Sequence, residues 1–179
     1  AGGTAVAVEC DASVGFKLTP ALLQKAITPR TKWLILNSPS NPTGSVYTAE
    51  DLKALGQVLK NHPNVLVMVD DMYEKLLFDG AKFATLAQVA PEIADRVLTV
   101  NGVSKAYCMT GWRIGYGHGP SWLIGAMSAI QSQSTSNPSS ISQAAALEAL
   151  DGPQDFIADH NVIFERRRDM VVRMLNECE

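Results

Sequence analysis

Short apolar runs alternate along this chain with stretches of helical periodicity, and this alternation limits the possible folds more than any other feature. Residues 33–36 and 65–69 are continuous apolar runs, and 97–100 is the mostly β-branched run Val-Leu-Thr-Val. Such runs are typical of strands that are buried on both faces of a sheet. A helix is predicted between the first two runs, where Thr48–Asp51 has the pattern of a capping box. Strands separated by helices favour an α/β fold with a mostly parallel sheet flanked by helices.

Further elements are predicted around these three strands. Thr19 and Pro20 are a typical N-cap and first helical residue. Two more strands are predicted, and three helices follow the last of them. The strands are 5–9 and 112–116, and the helices are about 120–133, 141–150 and 155–176.

The composition bounds the classes of function. The 179 residues are 46% hydrophobic, which is enough for one buried core. Fifteen basic and eighteen acidic residues give a net charge of -3, so no electropositive surface for nucleic acid is predicted. The longest apolar runs are too short to span a bilayer.

The cysteines and histidines give two further expectations. The three cysteines are far apart and form no disulfide pattern, which favours a reducing, cytoplasmic setting. The three histidines lack the spacing of metal ligands, so no metal site is predicted. The chain begins without methionine and stops inside or just after a helix, and we therefore expect it to be a piece of a longer protein.

Three polar residues each follow the end of a different predicted strand. They are Asn41, Asp70 and Lys105. Ligands of open α/β sheets bind beyond the carboxyl ends of the strands. We therefore expect these three side chains to line one crevice.

Lys105 and Arg113 suggest a covalent cofactor that carries a phosphate. Small and apolar neighbours surround Lys105, and partial desolvation favours the neutral, nucleophilic form of an amine. Arg113 stands between Trp112 and Ile114 in a predicted strand, where its guanidinium would suit a phosphate dianion. Taken singly, each residue has a simpler interpretation, as a solvated loop lysine and an ion-pair partner.

Asp70, Tyr73 and Asn41 supply the other groups that pyridoxal chemistry needs. A carboxylate at Asp70 would keep a pyridine nitrogen protonated, and the hydroxyl of Tyr73 could donate to the ring oxygen. Two prolines and a glycine restrict the loop of Asn41, whose amide could bind the same oxygen. The alternatives are that this loop is an ordinary turn, and that Asp70 and Asp71 cap a helix or bind Mg²⁺.

The order of these motifs resembles the class I pyridoxal-phosphate aminotransferases of the aspartate aminotransferase type. The motifs are Asn-Pro-Thr-Gly at 41–44, Asp-x-x-Tyr at 70–73, Ser-Lys at 104–105 and an arginine eight residues beyond the lysine. The resemblance covers nearly the whole chain and implies a fragment of the large domain of fold type I. Residues 1–153 would belong to the domain that binds pyridoxal 5'-phosphate, and 154–179 would be a helix that leads toward an absent small domain.

The resemblance also implies roles for individual residues. Lys105 would form the Schiff base, Arg113 would bind the phosphate and Ser104 would contact the cofactor. Asp70 would pair with the pyridine nitrogen, while Asn41 and Tyr73 would bind the ring oxygen.

The resemblance further implies an amino acid and a 2-oxo acid as substrates, a homodimer, and a cis Asn41–Pro42 bond. Aspartate and aromatic amino acids are both possible substrates. Gly102 departs from the phosphate-binding serine of some members, and Cys108 departs from the usual small residue. The family's glycine-rich phosphate loop, stacking aromatic residue and carboxylate-binding arginine would lie outside 1–179, so the fragment itself is predicted to be inactive.

Three other functions are considered. A β-elimination lyase would share all these site residues, and an aminotransferase-like effector domain of a transcription regulator would differ only in sequence upstream. A dinucleotide site is suggested by the glycines at 115, 117 and 119. It fails because Pro120 interrupts the glycine pattern and no acidic residue follows at about 20 residues.

Overall fold

The computed structural model describes residues 2–178, which form a four-stranded sheet with helices packed around it. The strands are β1 (Trp33–Asn37), β2 (Leu66–Asp70), β3 (Val97–Gly102) and β4 (Gly115–His118). The helices are α1 (Pro20–Ala26), α2 (Ala49–Lys60), α3 (Leu86–Val89), α4 (Ser121–Ser132), α5 (Ser140–Asp151) and α6 (Asp155–Asn176). Short 3-10 helices cover Ala12–Val14, Pro91–Arg96 and Thr110–Trp112.

The sheet has the order β1-β2-β3-β4. The first three strands are parallel and β4 is antiparallel to β3, so the predicted α/β fold with a mostly parallel sheet is confirmed. Asn37 lies opposite Asp70, and Asp70 lies opposite Val100. Gly102 at the end of β3 pairs with Gly115 at the start of β4. The carboxyl ends of β1 to β3 and the amino end of β4 therefore meet at one edge.

The main core lies between one face of the sheet and helices α1, α2 and α3. Alternate strand residues such as Val67, Val69 and Val97 point into it and are buried. The predicted capping box of α2 is present, with Thr48 and Asp51 each accepting from the other's backbone. Gly56 lets α2 approach the segment after α3, because a Cβ there would lie 2.6 Å from the Cβ of Ala90.

A smaller core attaches α5 and α6 beneath the turn that follows β3. Its buried members are Val103, Ala106, Tyr107, Ile114, Ala146 and Ile157. Farther along α6, Asn161 donates to the carbonyl of Lys75 at 2.7 Å. Arg168 pairs with Asp79, and Glu165 accepts from the backbone amide of Asp79 at 2.7 Å. The long helix is thus fixed to the loop that follows β2.

One predicted strand is wrong and another is displaced. Residues 5–9 form no strand, because no neighbouring strand lies beside them among residues 2–178, and Val6 is 76% exposed. The strand predicted at 112–116 begins only at Gly115. A 3-10 helix ends at Trp112, and Arg113 has a left-handed φ of 54° that breaks the extended path.

The other differences are small. Helix α5 begins at Ser140, one residue before its predicted start, and the side chain of Ser139 makes no capping hydrogen bond. The short helices between β2 and β3 were not predicted. Over residues 2–178, no helix combines the length and apolar character that crossing a membrane requires.

Candidate active site

Tyr73 lies between two of the predicted site residues. The amide nitrogen of Asn41 donates to the hydroxyl of Tyr73 at 3.2 Å. On another side, the amine nitrogen of Lys105 is 5.7 Å from the centre of the Tyr73 ring. Asn41 and Lys105, each 32 positions from Tyr73 in the sequence, are thus brought together. Their places after the ends of β1 and β3 predicted this.

Asp70 is the last residue of β2 and begins the turn that contains Tyr73. Its Oδ1 accepts from the backbone amide of Met72 at 3.2 Å. Residues 72–75 form turns, so the alternative that Asp70 and Asp71 cap the next helix is wrong. Among residues 2–178, no group of three or more histidine, cysteine or acidic side chains is placed to hold a metal ion.

Asn37 joins the ends of β1 and β2 to the loop that follows β1. Its Nδ2 donates to the carbonyl of Asp70 at 3.0 Å, and its Oδ1 accepts from the backbone amide of Asn41 at 2.8 Å. None of the motifs read from the sequence includes Asn37. A polar residue directly after an apolar run was the available signal.

The loop that carries Asn41 is ordered by its own backbone. The Ser38–Pro39 and Asn41–Pro42 bonds are both cis, the second as the resemblance implied. Ser40 and Gly44 are joined by a backbone hydrogen bond of 2.8 Å. Gly44 has a φ of 72°, which glycine adopts without steric cost.

Lys105 and Ser104 lie in the turn after β3. The buried side chain of Val103 fixes the start of this turn, while Ser104 is half-buried and Lys105 is exposed. The expectation that small and apolar neighbours shield the amine of Lys105 is therefore wrong for residues 2–178. The amine is instead open to a ligand at the edge of the sheet.

Arg113 lies at the same edge but in a turn rather than in the predicted strand. Its Nη1 donates to the carbonyl of Thr110 at 3.0 Å. Its other guanidinium donors have no acceptor within residues 2–178 and the side chain is exposed. Because Gly115 pairs with the end of β3, Arg113 is held just beyond the turn of Lys105.

Gly102 is required by the close approach of β4. A Cβ at this position would lie 2.8 Å from the carbonyl oxygen of Ile114 and 3.1 Å from Cε of Met72. A serine could not enter without a shift of the backbone. The glycine at this position thus fits the close approach of β4.

Asp71, next to Asp70, is a buried carboxyl group. It is 4% exposed. Burial raises its pKa to about 6, the Thr85 hydroxyl opposes this shift, and the charges of Glu74 and Asp70 add to it. No pattern in the sequence marks which of the two aspartates is buried.

The donor set at this edge fits pyridoxal 5'-phosphate. An amide and a hydroxyl at Asn41 and Tyr73 suit a phenolic ring oxygen, and the carboxylate of Asp70 suits a pyridinium nitrogen. The amine of Lys105 suits an aldehyde, and the free donors of Arg113 suit a phosphate. The arrangement can therefore bind both ends of such a cofactor.

Comparisons with known proteins agree with this chemistry. The family model of aminotransferase class I and II matches residues 1–179. The aspartate/prephenate aminotransferase of Cereibacter sphaeroides is 64% identical over the whole chain, which covers 45% of that protein. An aspartate aminotransferase of Rhizobium meliloti is 59% identical over 177 residues, and the chain covers 43% of it.

Solved structures give the same result. The crystal structure of the aspartate aminotransferase from Rhizobium meliloti matches with a TM-score of 0.92 and 60% identity, over 93% of this chain and 42% of that one. The Thermus thermophilus aspartate aminotransferase with maleate matches with a TM-score of 0.89 and 43% identity, over 96% and 44%. The chain spans less than half the length of these relatives.

Proposed function

The chain belongs to the class I and II aminotransferases, and on this basis we propose that it is part of an enzyme that moves an amino group between an amino acid and a 2-oxo acid. Its cofactor would be pyridoxal 5'-phosphate. One observation carries the proposal: Asn41 and Lys105 meet at Tyr73, next to Asp70, at one edge of the sheet. The amide of Asn41, the phenol of Tyr73, the carboxylate of Asp70 and the amine of Lys105 together suit that cofactor.

The proposed roles follow the chemistry of each side chain. Asn41 and Tyr73 would donate to the ring oxygen, and Asp70 would keep the ring nitrogen protonated. Arg113 and Ser104 would bind the phosphate. When bound, the cofactor supplies an electron sink for the electron pair left at the substrate α-carbon.

Lys105 would be the catalytic residue. Its amine would hold the cofactor between turnovers and carry a proton to and from the α-carbon of the substrate. The exposure of Lys105 supports this role, because a substrate can approach the amine. Its position beside the Tyr73 ring supports it as well, because the amine then lies next to a side chain proposed to bind the ring oxygen.

We propose aspartate as an amino donor, which the printed names of both relatives support. Residues 1–153 would be part of the large cofactor-binding domain, and 154–179 would lead toward a small domain. The full polypeptide would be a cytoplasmic homodimer, and the chain alone would be inactive. The exposed apolar side chains of α4 and α5 support the dimer, and the three free cysteines suit a reducing compartment.

Covalent labelling tests the assignment of Lys105. After incubation with pyridoxal phosphate and reduction with borohydride, peptide mapping should place the adduct on Lys105. Lys75 and Lys82 serve as internal controls, since both lie on the loop after β2. An adduct on either of them, with Lys105 unmodified, would contradict the assignment.

A product assay tests the reaction type in the full-length polypeptide. With aspartate and 2-oxoglutarate we expect oxaloacetate and glutamate, and Lys105→Ala should abolish their formation. In a parallel assay with serine or cysteine, whose β-hydroxyl or β-thiol can leave, ammonia and pyruvate as products would instead identify a β-elimination lyase. Cofactor binding without turnover of any amino acid would favour a regulatory domain.

A further inference from the structure

Asn37 contacts both the loop of Asn41 and the end of β2 at Asp70, but it belongs to none of the site motifs. It ends β1, opposite Asp70 in the parallel register. Its side chain has one donor group and one acceptor group, and each is used on a different segment. We infer that Asn37 is a positioning residue, which fixes the carboxylate of Asp70 and the amide of Asn41 relative to each other.

The link to Asp70 is made at the backbone. The carbonyl of Asp70 accepts from Nδ2 of Asn37 at 3.0 Å and from the amide of Ser38 at 3.2 Å. Asn37 ends the neighbouring strand β1 and Ser38 follows it, so the two donors extend the β1–β2 contact past its last residue pair. The peptide plane that follows Asp70 is thereby held, and with it the direction in which the side chain of Asp70 leaves the strand.

The link to Asn41 sets the height of the loop above the sheet. The acceptor Oδ1 of Asn37 holds the backbone amide of Asn41 at 2.8 Å, although Asn41 is exposed. From that position the side chain of Asn41 reaches the hydroxyl of Tyr73. Without the link, the same loop could keep its internal hydrogen bonds and still move as a unit relative to Asp70.

One side chain therefore couples the partner of the ring nitrogen to a partner of the ring oxygen. These two cofactor atoms are on a rigid ring, so their protein partners must keep a fixed separation. An asparagine suits this task because its amide is planar and carries the donor and acceptor on one carbon. The positioning role of Asn37 rests on the proposed cofactor, but the two hydrogen bonds that its side chain makes do not depend on it.

Two substitutions separate the two links. Asn37→Asp keeps an oxygen acceptor for the Asn41 amide but loses the donor to the Asp70 carbonyl, and Asn37→Leu loses both. Asn64→Asp and Asn64→Leu are matched controls, because Asn64 is exposed and lies before the amino end of β2, at the opposite end of the sheet. Circular dichroism and urea unfolding would report whether each variant is folded.

The first measurement is hydrogen exchange of the Asn41 amide, followed by NMR without cofactor. Exchange should be at least about tenfold faster in Asn37→Leu, and close to the parent rate in Asn37→Asp and both controls. Equal rates in the parent and in Asn37→Leu would overturn the inference. This result does not depend on the cofactor, so it stands even if the proposed function fails.

The second measurement is the dissociation constant of pyridoxal phosphate in the full-length polypeptide. Asn37→Leu should raise it by about tenfold or more, which is about 1.4 kcal/mol, and Asn37→Asp by less. When Asn41→Ala is already present, Asn37→Leu should have a smaller effect, because no Asn41 side chain remains to be aimed. Additive effects, or a loss of stability with unchanged affinity, would show that Asn37 only supports the fold.

Discussion

At the scale of single residues, two adjacent aspartates have different surroundings. Asp70 is half-buried at the edge of the sheet, where Asn41 and Lys105 also lie, whereas Asp71 is buried. The alternation of side chains along an extended strand explains the difference, since neighbours point to opposite sides. The two residues should therefore respond differently to the same substitution.

Asp70→Asn should reduce turnover in the full-length polypeptide while leaving cofactor binding in place. A neutral amide cannot hold a proton on the pyridine nitrogen, and loss of one well-placed charged partner costs about 100-fold or more. Asp70→Glu should reduce turnover less than Asp70→Asn, because it keeps the charge. Steady-state kinetics at full cofactor occupancy would measure both, with the exposed Asp159→Asn as control. Near-normal turnover in Asp70→Asn would leave Asp70 with a structural role only.

Asp71 should make stability depend on pH between about 4 and 6. Its pKa rises from an ordinary 3.8 to about 6 in the folded chain, so within this window the folded state binds more protons than the unfolded state. Stability should fall as the pH rises through the window and level off above it. At about 1.4 kcal/mol per pKa unit, the loss is on the order of 2–3 kcal/mol.

The substitution Asp71→Asn tests this expectation. It should remove most of the dependence of stability on pH and stabilise the chain at neutral pH by on the order of 1–3 kcal/mol. Urea midpoints at several pH values would show the change, and Asp159→Asn should keep the slope of the parent. If Asp71→Asn kept that slope too, another group would be its source.

At the scale of elements, Arg96 connects the end of α2 to the start of β2. Its Nη2 donates to the carbonyl of Leu59 at 2.7 Å, and its Nη1 donates to the carbonyls of His62 and Val65 at 2.9 and 2.7 Å. Burial lowers the pKa of this guanidinium, and the nearby charge of Asp95 opposes the shift. One side chain thus ties the last turn of α2 to the segment that leads into β2.

Arg96→Met should destabilise the fold by about 2–4 kcal/mol, because three buried or half-buried carbonyls lose a charged donor. The free energy of unfolding of Arg96→Lys should lie between those of Arg96→Met and the parent, since an ammonium cannot span the same three acceptors from one plane. Urea unfolding would measure the series, with the exposed Arg30→Met as control. A loss below about 0.5 kcal/mol for Arg96→Met would mean that water replaces the guanidinium.

The elements also show which structural features can be read from sequence. The runs that became β1, β2 and β3 were predicted because they are short and mostly apolar on both faces, although β1 lies at an edge of the described sheet. Strand β4 reads Gly-Tyr-Gly-His and is exposed, so no apolar pattern marks its start. The left-handed turn at Arg113 was hidden in the same way, because arginine has no preference for it.

The site could be predicted where it depended on chain order, but not where it depended on register. Asn41 and Lys105 were expected in one crevice because each follows a parallel strand, and both meet at Tyr73. The cross-link by Asn37 needs the pairing of Asn37 with Asp70, which no local pattern encodes. The burial of Asp71 likewise depends on packing around the end of β2.

At the scale of the whole molecule, large apolar side chains remain exposed on several elements. Ile35 on β1 is 64% exposed, Ile130 on α4 is 71% exposed and Ile141 on α5 is 73% exposed. Along α6, Ile157 joins a buried cluster, while Phe164 and most of the other large apolar residues are exposed. Exposed apolar surface of this kind marks a site of association.

The 179-residue chain should therefore self-associate as its concentration rises. Each isoleucine that becomes buried in a contact gains about 1.5–3 kcal/mol, so a few of them are enough for association in the micromolar range. Sedimentation velocity over a concentration series would measure it. Ile130→Gln and Ile141→Gln together should weaken association by about tenfold or more. Gln131→Asn, exposed on the same helix as Ile130, should not. A parent chain that stayed monomeric to about 100 µM would show that these faces are too dispersed to bind one another.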